Sequence, residues 1–332
     1  MRLAQLLADT RRVALVGLAK NTGKTETLAA IVAETAAAGR AVGVTSIGRD
    51  GEEHDVIDAR ISKPRVRLEA GSLVASTGPL LHGSPARHER LLQTGIRTPL
   101  GEVVIARFSE PGAVEVAGPS AAADVRAVGE AMIELGAEQV LIDGAIDRRA
   151  ASSPAVADGL VMATGAVLAA DIERVVAHTS DAVDLVRLSR SEAHDPTPVP
   201  RSVVLSGDPA EISALVRERG LQSSFIVEGA LSERFLEGLL GARRERAGRE
   251  LRVIAADPTK VFLSRRGPRW YARQGVCIEV QQTIELKAIT VNPVAPQSHR
   301  FDSRQLRERI EAAVADVPVY DVLDSSYVAL AR

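Results

Sequence analysis

The sequence is poor in cysteine and in aromatic residues, and each shortage excludes a class of protein. The single cysteine, Cys277, excludes an internal disulfide. It lies in the apolar run 276–280, which is typical of a buried structural thiol in a reducing compartment. Aromatic residues make up 3% of the chain, which argues against a surface that stacks bases on rings. We therefore expect a core of small aliphatic side chains, as in helices packed on a parallel sheet.

A charge excess and long apolar runs are also missing. The 41 basic and 43 acidic side chains give a formal net charge of −2, so there is no electrostatic reason to expect binding to nucleic acid. No apolar run approaches the roughly 18 residues that cross a bilayer, and residues 1–12 lack the apolar segment of a secretory signal. We expect a cytoplasmic protein without a membrane or nucleic-acid partner.

The best-defined motif is a glycine-rich turn between an apolar strand and a helix. Residues 13–16 are typical of a buried parallel strand, and from Thr25 onward apolar residues recur with the period of one helix face. Gly17 and the Gly23-Lys24 pair lie between them. This order directs backbone N–H groups and the positive end of the helix dipole towards one point, where a polyphosphate can bind. The pattern predicts a P-loop NTPase that binds ATP and Mg²⁺.

The P-loop interpretation assigns roles to the residues of the turn. Lys24 is predicted to reach the terminal phosphates and the Thr25 hydroxyl to bind Mg²⁺. The remaining phosphate contacts are predicted at Lys20, Asn21, Thr22, Gly23 and Glu26. Glu26 has an alternative role, since an acid in the first turn stabilises a helix N-terminus.

The spacing of the turn is unusual. Gly17 precedes Gly23 by six positions, one more than in G-x-x-x-x-G-K-[ST]. A loop of this length resembles that of dethiobiotin synthetases. The alternative is a strand-to-helix turn that holds no ligand.

Carboxylates at strand ends are the candidate metal ligands. Asp143 ends the apolar strand 139–143 and is predicted to bind Mg²⁺ and to act in catalysis with Lys24. Asp50 and Asp55 follow the predicted strand 41–47 and are further Mg²⁺ candidates. The alternatives are a strand-end acid that faces water and a polar surface turn.

The periodicities predict an α/β fold in which helices flank a largely parallel sheet. We expect a nucleotide-binding domain over 1–193 with a β-rich insertion at about 64–118, and a C-terminal α/β part over 201–332. Three prolines within 194–200 mark the boundary and predict no regular structure there. Helices are predicted at 24–38, 119–136, 171–188, 209–219, 232–244 and 302–315, and strands of the second part at 203–206, 225–227, 253–256, 284–291 and 317–323.

Several longer phrases resemble one known family. The most particular are Thr45-Ser-Ile-Gly-Arg-Asp-Gly-Glu52 and Ile142-Asp-Gly-Ala-Ile-Asp-Arg148. The others are residues 17–25, 63–64, 163–166, 257–260 and 290–293. Together they resemble the P-loop component of the lysine 5,6-aminomutase reactivase. This resemblance implies an ATPase that, beside a MutS-like subunit, helps an adenosylcobalamin-dependent aminomutase to release damaged cobalamin.

A more distant resemblance to dethiobiotin synthetases concerns the base of the nucleotide. Asn292 and Pro293 lie where such proteins recognise adenine; the alternative is an amide that holds its own turn. Two other functions stay open: an ATP-dependent small-molecule synthetase and a nucleotide-gated scaffold with little turnover. The sequence also leaves the oligomeric state open, and a homo-oligomer is one of the alternatives.

Overall fold

The structure is a computed structural model that describes residues 2–48, 65–144, 149–219, 224–244, 250–296 and 299–324. The predicted metal ligands Asp50 and Asp55 lie outside the described residues. Within the described part of the chain, no helix combines the length and the apolar character needed to cross a membrane.

The described strands and helices alternate along most of the chain. The strands are β1 (Arg12–Gly17), β2 (Val42–Ser46), β3 (Val66–Leu68), β4 (Leu73–Thr77), β5 (His88–Thr98), β6 (Gly101–Phe108), β7 (Gly112–Val114), β8 (Gln139–Gly144), β9 (Gly159–Gly165), β10 (Thr197–Val199), β11 (Ser224–Val227), β12 (Leu231–Ser232), β13 (Leu251–Ala255), β14 (Val261–Phe262), β15 (Val276–Val280), β16 (Glu285–Asn292), β17 (Val294–Ala295), β18 (His299–Arg300) and β19 (Val319–Tyr320). The helices are α1 (Leu3–Leu6), α2 (Lys24–Ala37), α3 (Gly78–His82), α4 (Ala122–Glu134), α5 (Ile172–Val186), α6 (Arg201–Ser206), α7 (Pro209–Arg219), α8 (Glu233–Arg244), α9 (Pro268–Arg273) and α10 (Ser303–Val314).

The chain forms two compact units, and their limits differ from the predicted domains 1–193 and 201–332. The first unit contains Met1–Thr179 and Leu286–Arg332, and the second contains Ser180–Glu285. The difference arises because β16 returns to the first unit, where it lies beside β9 in the main sheet. The proline-rich segment carries β10, which pairs with β11 and so belongs inside the second unit.

The first unit is built on a nine-stranded sheet with the order β19-β16-β9-β1-β8-β2-β4-β6-β5. Strand β1 lies near the centre and pairs in parallel with β8 and β9. The pairs β8–β2, β2–β4 and β16–β19 are also parallel, whereas β6 is antiparallel to β4 and to β5. This arrangement confirms an α/β fold with a large, mostly parallel sheet flanked by helices.

Helix α2 shows why the sequence folds in this way beside β1. Its residues Leu28, Ile31 and Val32 are at most 1% exposed and join the apolar core with Val13 and Leu15 of β1. Burial of such aliphatic side chains is the main force that holds a helix on a sheet. The predicted helix at 24–38 is therefore confirmed, as are those that correspond to α4, α5, α7, α8 and α10.

The β-rich region 64–118 extends the main sheet. Strands β4, β6 and β5 form its antiparallel edge, and β3 and β7 form a separate two-stranded sheet. Strand β5 was not predicted, because most of its side chains are polar and none of them is buried. Its position at the sheet edge explains how a strand without a buried face can form there.

The second unit contains a four-stranded parallel sheet with the order β10-β11-β13-β15. The strand predicted at 203–206 is wrong, since these residues belong to α6. A four-residue apolar run does not distinguish a strand from a helix turn. The absence of regular structure predicted at 194–200 is also wrong, because β10 is an edge strand, where proline is tolerated.

The strand predicted at 317–323 shortens to the two residues of β19. Helix α10 and β19 are in contact, and Ile289 and Thr290 of β16 pair with Val319 and Tyr320. The C-terminal segment thus adds the edge strand of the main sheet, next to β16.

Candidate functional site

The loop of residues 18–23 continues from the end of β1 and leads into α2. Leu18 N donates a hydrogen bond to Ala163 O at 2.9 Å, so the loop begins as a continuation of the β1–β9 pairing. Two of its residues have left-handed backbone conformations: Asn21 with φ 64° and Gly23 with φ 85°. Gly23 is the N-cap of α2. A left-handed N-cap needs glycine because a Cβ atom would strain the backbone there.

The side chain of Lys24 lies across the carboxyl ends of β1 and β8. Its Nζ is 2.7 Å from Asp143 Oδ1 and donates a hydrogen bond to Gly144 O at 2.7 Å. The Lys24 and Asp143 side chains are 22% and 30% exposed. In the β1–β8 register, Asp143 stands opposite Leu15, two residues before the end of β1. The structure therefore brings the predicted lysine and the predicted acid together, and both side chains are partly exposed.

The first turn of α2 is fastened to β16. Thr27 Oγ1 donates to Gly23 O at 2.9 Å and lies 2.8 Å from Thr290 Oγ1, and both threonines are buried. Sequence reasoning did not find this hydroxyl pair, because it joins residues 263 positions apart. Its effect is to fix the start of α2 against a strand from the far end of the chain.

Asn292, at the end of β16, contacts the loop as well as its own turn. Its Nδ2 donates to Asn21 O at 2.9 Å, and its Oδ1 accepts from Val294 N at 3.0 Å. Asn292 is 9% exposed, and Pro293 beside it is buried. The second hydrogen bond is the one expected for an amide that holds its own turn. Recognition of adenine by Asn292 and Pro293 stays a prediction.

The other predicted phosphate ligands differ in their accessibility. Lys20, Asn21 and Glu26 are exposed, and Thr25 is partly exposed in the first turn of α2. Thr22 is 1% exposed and its hydroxyl donates to Ala19 O at 3.0 Å. The Thr22 side chain therefore shapes the loop from inside.

The described residues offer few ligands for a metal ion. Among them, no group of three or more His, Cys, Asp or Glu side chains is arranged to hold a metal. Thr25 and Asp143 supply a hydroxyl and a carboxylate at the loop. Such a sparse oxygen donor set suits Mg²⁺, which keeps several waters and takes one or two protein ligands beside phosphate oxygens.

Comparisons of the chain with protein-family models, with curated proteins and with solved structures found no match. The function is therefore inferred from the residues of the site and from the sequence motifs that surround it.

Proposed function

We propose that this chain is a P-loop protein that binds ATP with Mg²⁺ at the loop 18–23 and hydrolyses it. The observation that carries the proposal is the position of Lys24 Nζ, between Asp143 Oδ1 and Gly144 O at the start of α2. Lys24 is the first residue of α2, and the left-handed Gly23 is the N-cap before it. A phosphate is attracted by the ammonium charge of the lysine and by the N–H groups and dipole of a helix N-terminus.

The roles of the individual residues follow from this placement. Lys24 turns from Asp143 and Gly144 towards the terminal phosphates, and Asp143 is then free to hold Mg²⁺ together with Thr25. Mg²⁺, when bound, neutralises negative charge on the phosphoryl group during transfer. Lys20 and Asn21 are exposed residues of the loop and approach the phosphates from the solvent side.

We further propose that the chain is the ATPase subunit of a cytoplasmic reactivase, with an adenosylcobalamin-dependent aminomutase and a MutS-like subunit as partners. The resemblance of the sequence phrases supports this assignment; most of the phrases lie in the first compact unit, and residues 257–260 lie in the second. A reactivase of this kind can change its grip on the mutase only if its ATP-bound and ADP-bound states differ in their affinity for the mutase. A coupling free energy of about 1–3 kcal/mol is typical of such linkage.

Steady-state phosphate release with ATP and Mg²⁺ distinguishes the three proposed functions. Stimulation by the mutase is the expected result for a reactivase. Dependence on a small amine or carboxylate substrate instead identifies a synthetase, and binding without turnover in either condition identifies a nucleotide-gated scaffold.

The variant Lys24→Ala tests nucleotide binding directly. ATP at 100 times its Kd is expected to add about 2.7 kcal/mol to the stability of the wild type in a thermal-shift assay and nothing to the variant. Lys287→Ala is the matched control, since Lys287 Nζ lies 3.6 Å from Asp9 Oδ2 and so is also paired with an aspartate. Lys287 lies near the start of β16, whereas the loop contacts its end. An equal shift for Lys24→Ala and Lys287→Ala would remove Lys24 from the site.

A further inference from the structure

We propose that Asn292 is the positioning residue of the loop 18–23 and holds it in the conformation that accepts phosphate. The adenine role predicted for Asn292 is the competing hypothesis. The inference rests on the proposed function where it concerns phosphate binding, and on the contacts of the unliganded protein where it concerns the loop itself.

The orientation of the Asn292 amide follows from its partners. Val294 N can only donate, so the atom of Asn292 that faces it, at 3.0 Å, is the acceptor Oδ1. The donor Nδ2 therefore faces Asn21 O, at 2.9 Å. With Asn292 only 9% exposed, both ends of its amide are committed to backbone atoms on two different segments.

Two glycines show how closely Asn292 is enclosed. A Cβ atom on Gly23 would lie 3.1 Å from Asn292 Cβ. A Cβ atom on Gly165, at the end of β9, would lie 2.3 Å from Asn292 O and 3.0 Å from Asn292 Cβ. Contacts below about 3.0 Å force a displacement. Asn292 thus packs closely between the loop and the end of β9, and a larger residue at Gly23 or Gly165 would displace it.

The bond to Asn21 acts at the strained part of the loop. Asn21 has a left-handed backbone, φ 64°, and Gly23 follows with φ 85°. Asparagine adopts a left-handed conformation more readily than most residues with a side chain but less readily than glycine, so a contact that holds it there adds to the order of the loop. The hydrogen bond from Asn292 Nδ2 fixes the carbonyl of Asn21, and with it the orientation of the peptide that joins Asn21 to Thr22. A phosphate-binding loop needs this order before the ligand arrives, because ordering costs affinity.

The two roles predict different effects of Asn292→Ala on ligand binding. A positioning residue affects every ligand that uses the loop, so inorganic triphosphate and ATP are expected to bind about tenfold more weakly, and by the same factor. An adenine-reading residue affects ATP alone and leaves the affinity for inorganic triphosphate unchanged. Tenfold corresponds to about 1.4 kcal/mol. Calorimetric titration of both ligands with Mg²⁺, at a temperature where the variant is folded, measures the two affinities.

Gln139→Ala is the matched control for loss of a buried amide. Gln139 is 0% exposed, and its Nε2 donates to Leu7 O at 2.7 Å and Thr10 O at 2.9 Å. It lies at the start of β8, at the opposite end of that strand from Asp143. We expect Gln139→Ala to lower the melting temperature without changing the affinity for triphosphate.

Hydrogen exchange of the unliganded protein tests the loop independently of any nucleotide. Asn292→Ala and Asn292→Asp are both expected to speed amide exchange in a peptide that covers residues 18–25, and Gln139→Ala is not. Asn292→Asp keeps the acceptor for Val294 N and removes the donor for Asn21 O. This variant therefore distinguishes the effect of the contact with the loop from that of the contact with the turn at Val294.

Each outcome decides one of the two proposals. Unchanged exchange at 18–25 in both Asn292 variants, or weaker binding of ATP alone, would overturn the positioning role and leave the proposed function standing. Failure of the wild type to bind either ligand would overturn the proposed function, and the exchange data alone would then decide the role of Asn292.

Discussion

The two ends of the strands in the main sheet carry the same kinds of residue in different geometries. At the amino ends, Arg12 is paired with Asp158 and the buried amide of Gln139 binds two backbone carbonyls. At the carboxyl ends, Lys24 is paired with Asp143 and the amide of Asn292 binds the loop. Each end therefore combines a cation–carboxylate pair with a buried amide.

The difference lies in how firmly each pair is held. Arg12 contacts Asp158 through Nε at 3.2 Å, Nη2 at 2.7 Å and its own backbone N at 3.0 Å, and its Nη1 lies 3.5 Å from Glu130. Lys24 meets Asp143 at one atom. A guanidinium that binds a carboxylate through two nitrogens is fixed in direction, whereas an ammonium is a point charge on a flexible stem. The amino-end pair is therefore fixed in direction, whereas the carboxyl-end pair is less constrained, as the proposed phosphate site requires.

The largest effect in this comparison is expected from Asp143→Asn. Loss of the carboxylate removes the proposed Mg²⁺ ligand, so Mg²⁺-dependent ATP turnover should fall at least about a hundredfold, or roughly 2.7 kcal/mol in the barrier. ATP binding without Mg²⁺ should be as tight as in the wild type or tighter, because Lys24 no longer shares its charge with Asp143. Phosphate release and calorimetry in EDTA measure the two quantities.

Asp158→Asn is the control at the other end of the sheet. It removes a carboxylate that is also paired with a cation, and it should lower stability while turnover per folded molecule is kept. Equal losses of turnover in Asp143→Asn and Asp158→Asn would show that the two ends do not differ in function.

A smaller effect is expected from Arg12→Ala. The Arg12 side chain is 13% exposed and that of Asp158 is 40% exposed, so the lost hydrogen bonds are partly screened by water. We expect the free energy of unfolding to fall by about 1–2 kcal/mol. Urea unfolding measures this loss, and calorimetry should show an ATP affinity equal to that of the wild type. A weakened affinity for ATP would mean that the amino ends also contribute to the site.

Local patterns made the loop and its partner acid predictable. The strand-turn-helix order around Gly23 and Lys24 depends only on neighbouring residues. The predicted helix 24–38 therefore ends one residue after the observed end of α2. Asp143 could be added because parallel strands present their carboxyl ends at one edge. The ion pair between Lys24 and Asp143 joins positions far apart in sequence, but a pattern of neighbouring residues indicates each partner separately.

The features that were missed depend on pairing between distant segments. Nothing local in β16 indicates that it returns to lie beside β9, and for this reason the C-terminal part was assigned to the second domain. The contacts of Thr290 and Asn292 with the loop follow from that return. The Arg12–Asp158 pair was missed for the same reason, because neither residue belongs to a motif.

The smallest effect is a pH dependence of stability at the amino ends of the strands. Burial raises the pKa of Asp158, but the hydrogen bonds and charge of Arg12 outweigh it, so this pKa lies below the ordinary value of 3.8. A carboxyl whose pKa is depressed by folding contributes stability above its unfolded pKa, and the contribution is lost as the pH falls through the folded pKa. The stability difference between wild type and Arg12→Ala should therefore be full above about pH 5 and shrink below about pH 4. Melting temperatures measured from pH 7 to pH 3 test this, and a difference that stays constant over that range would show that the Arg12 contribution comes from packing instead of charge.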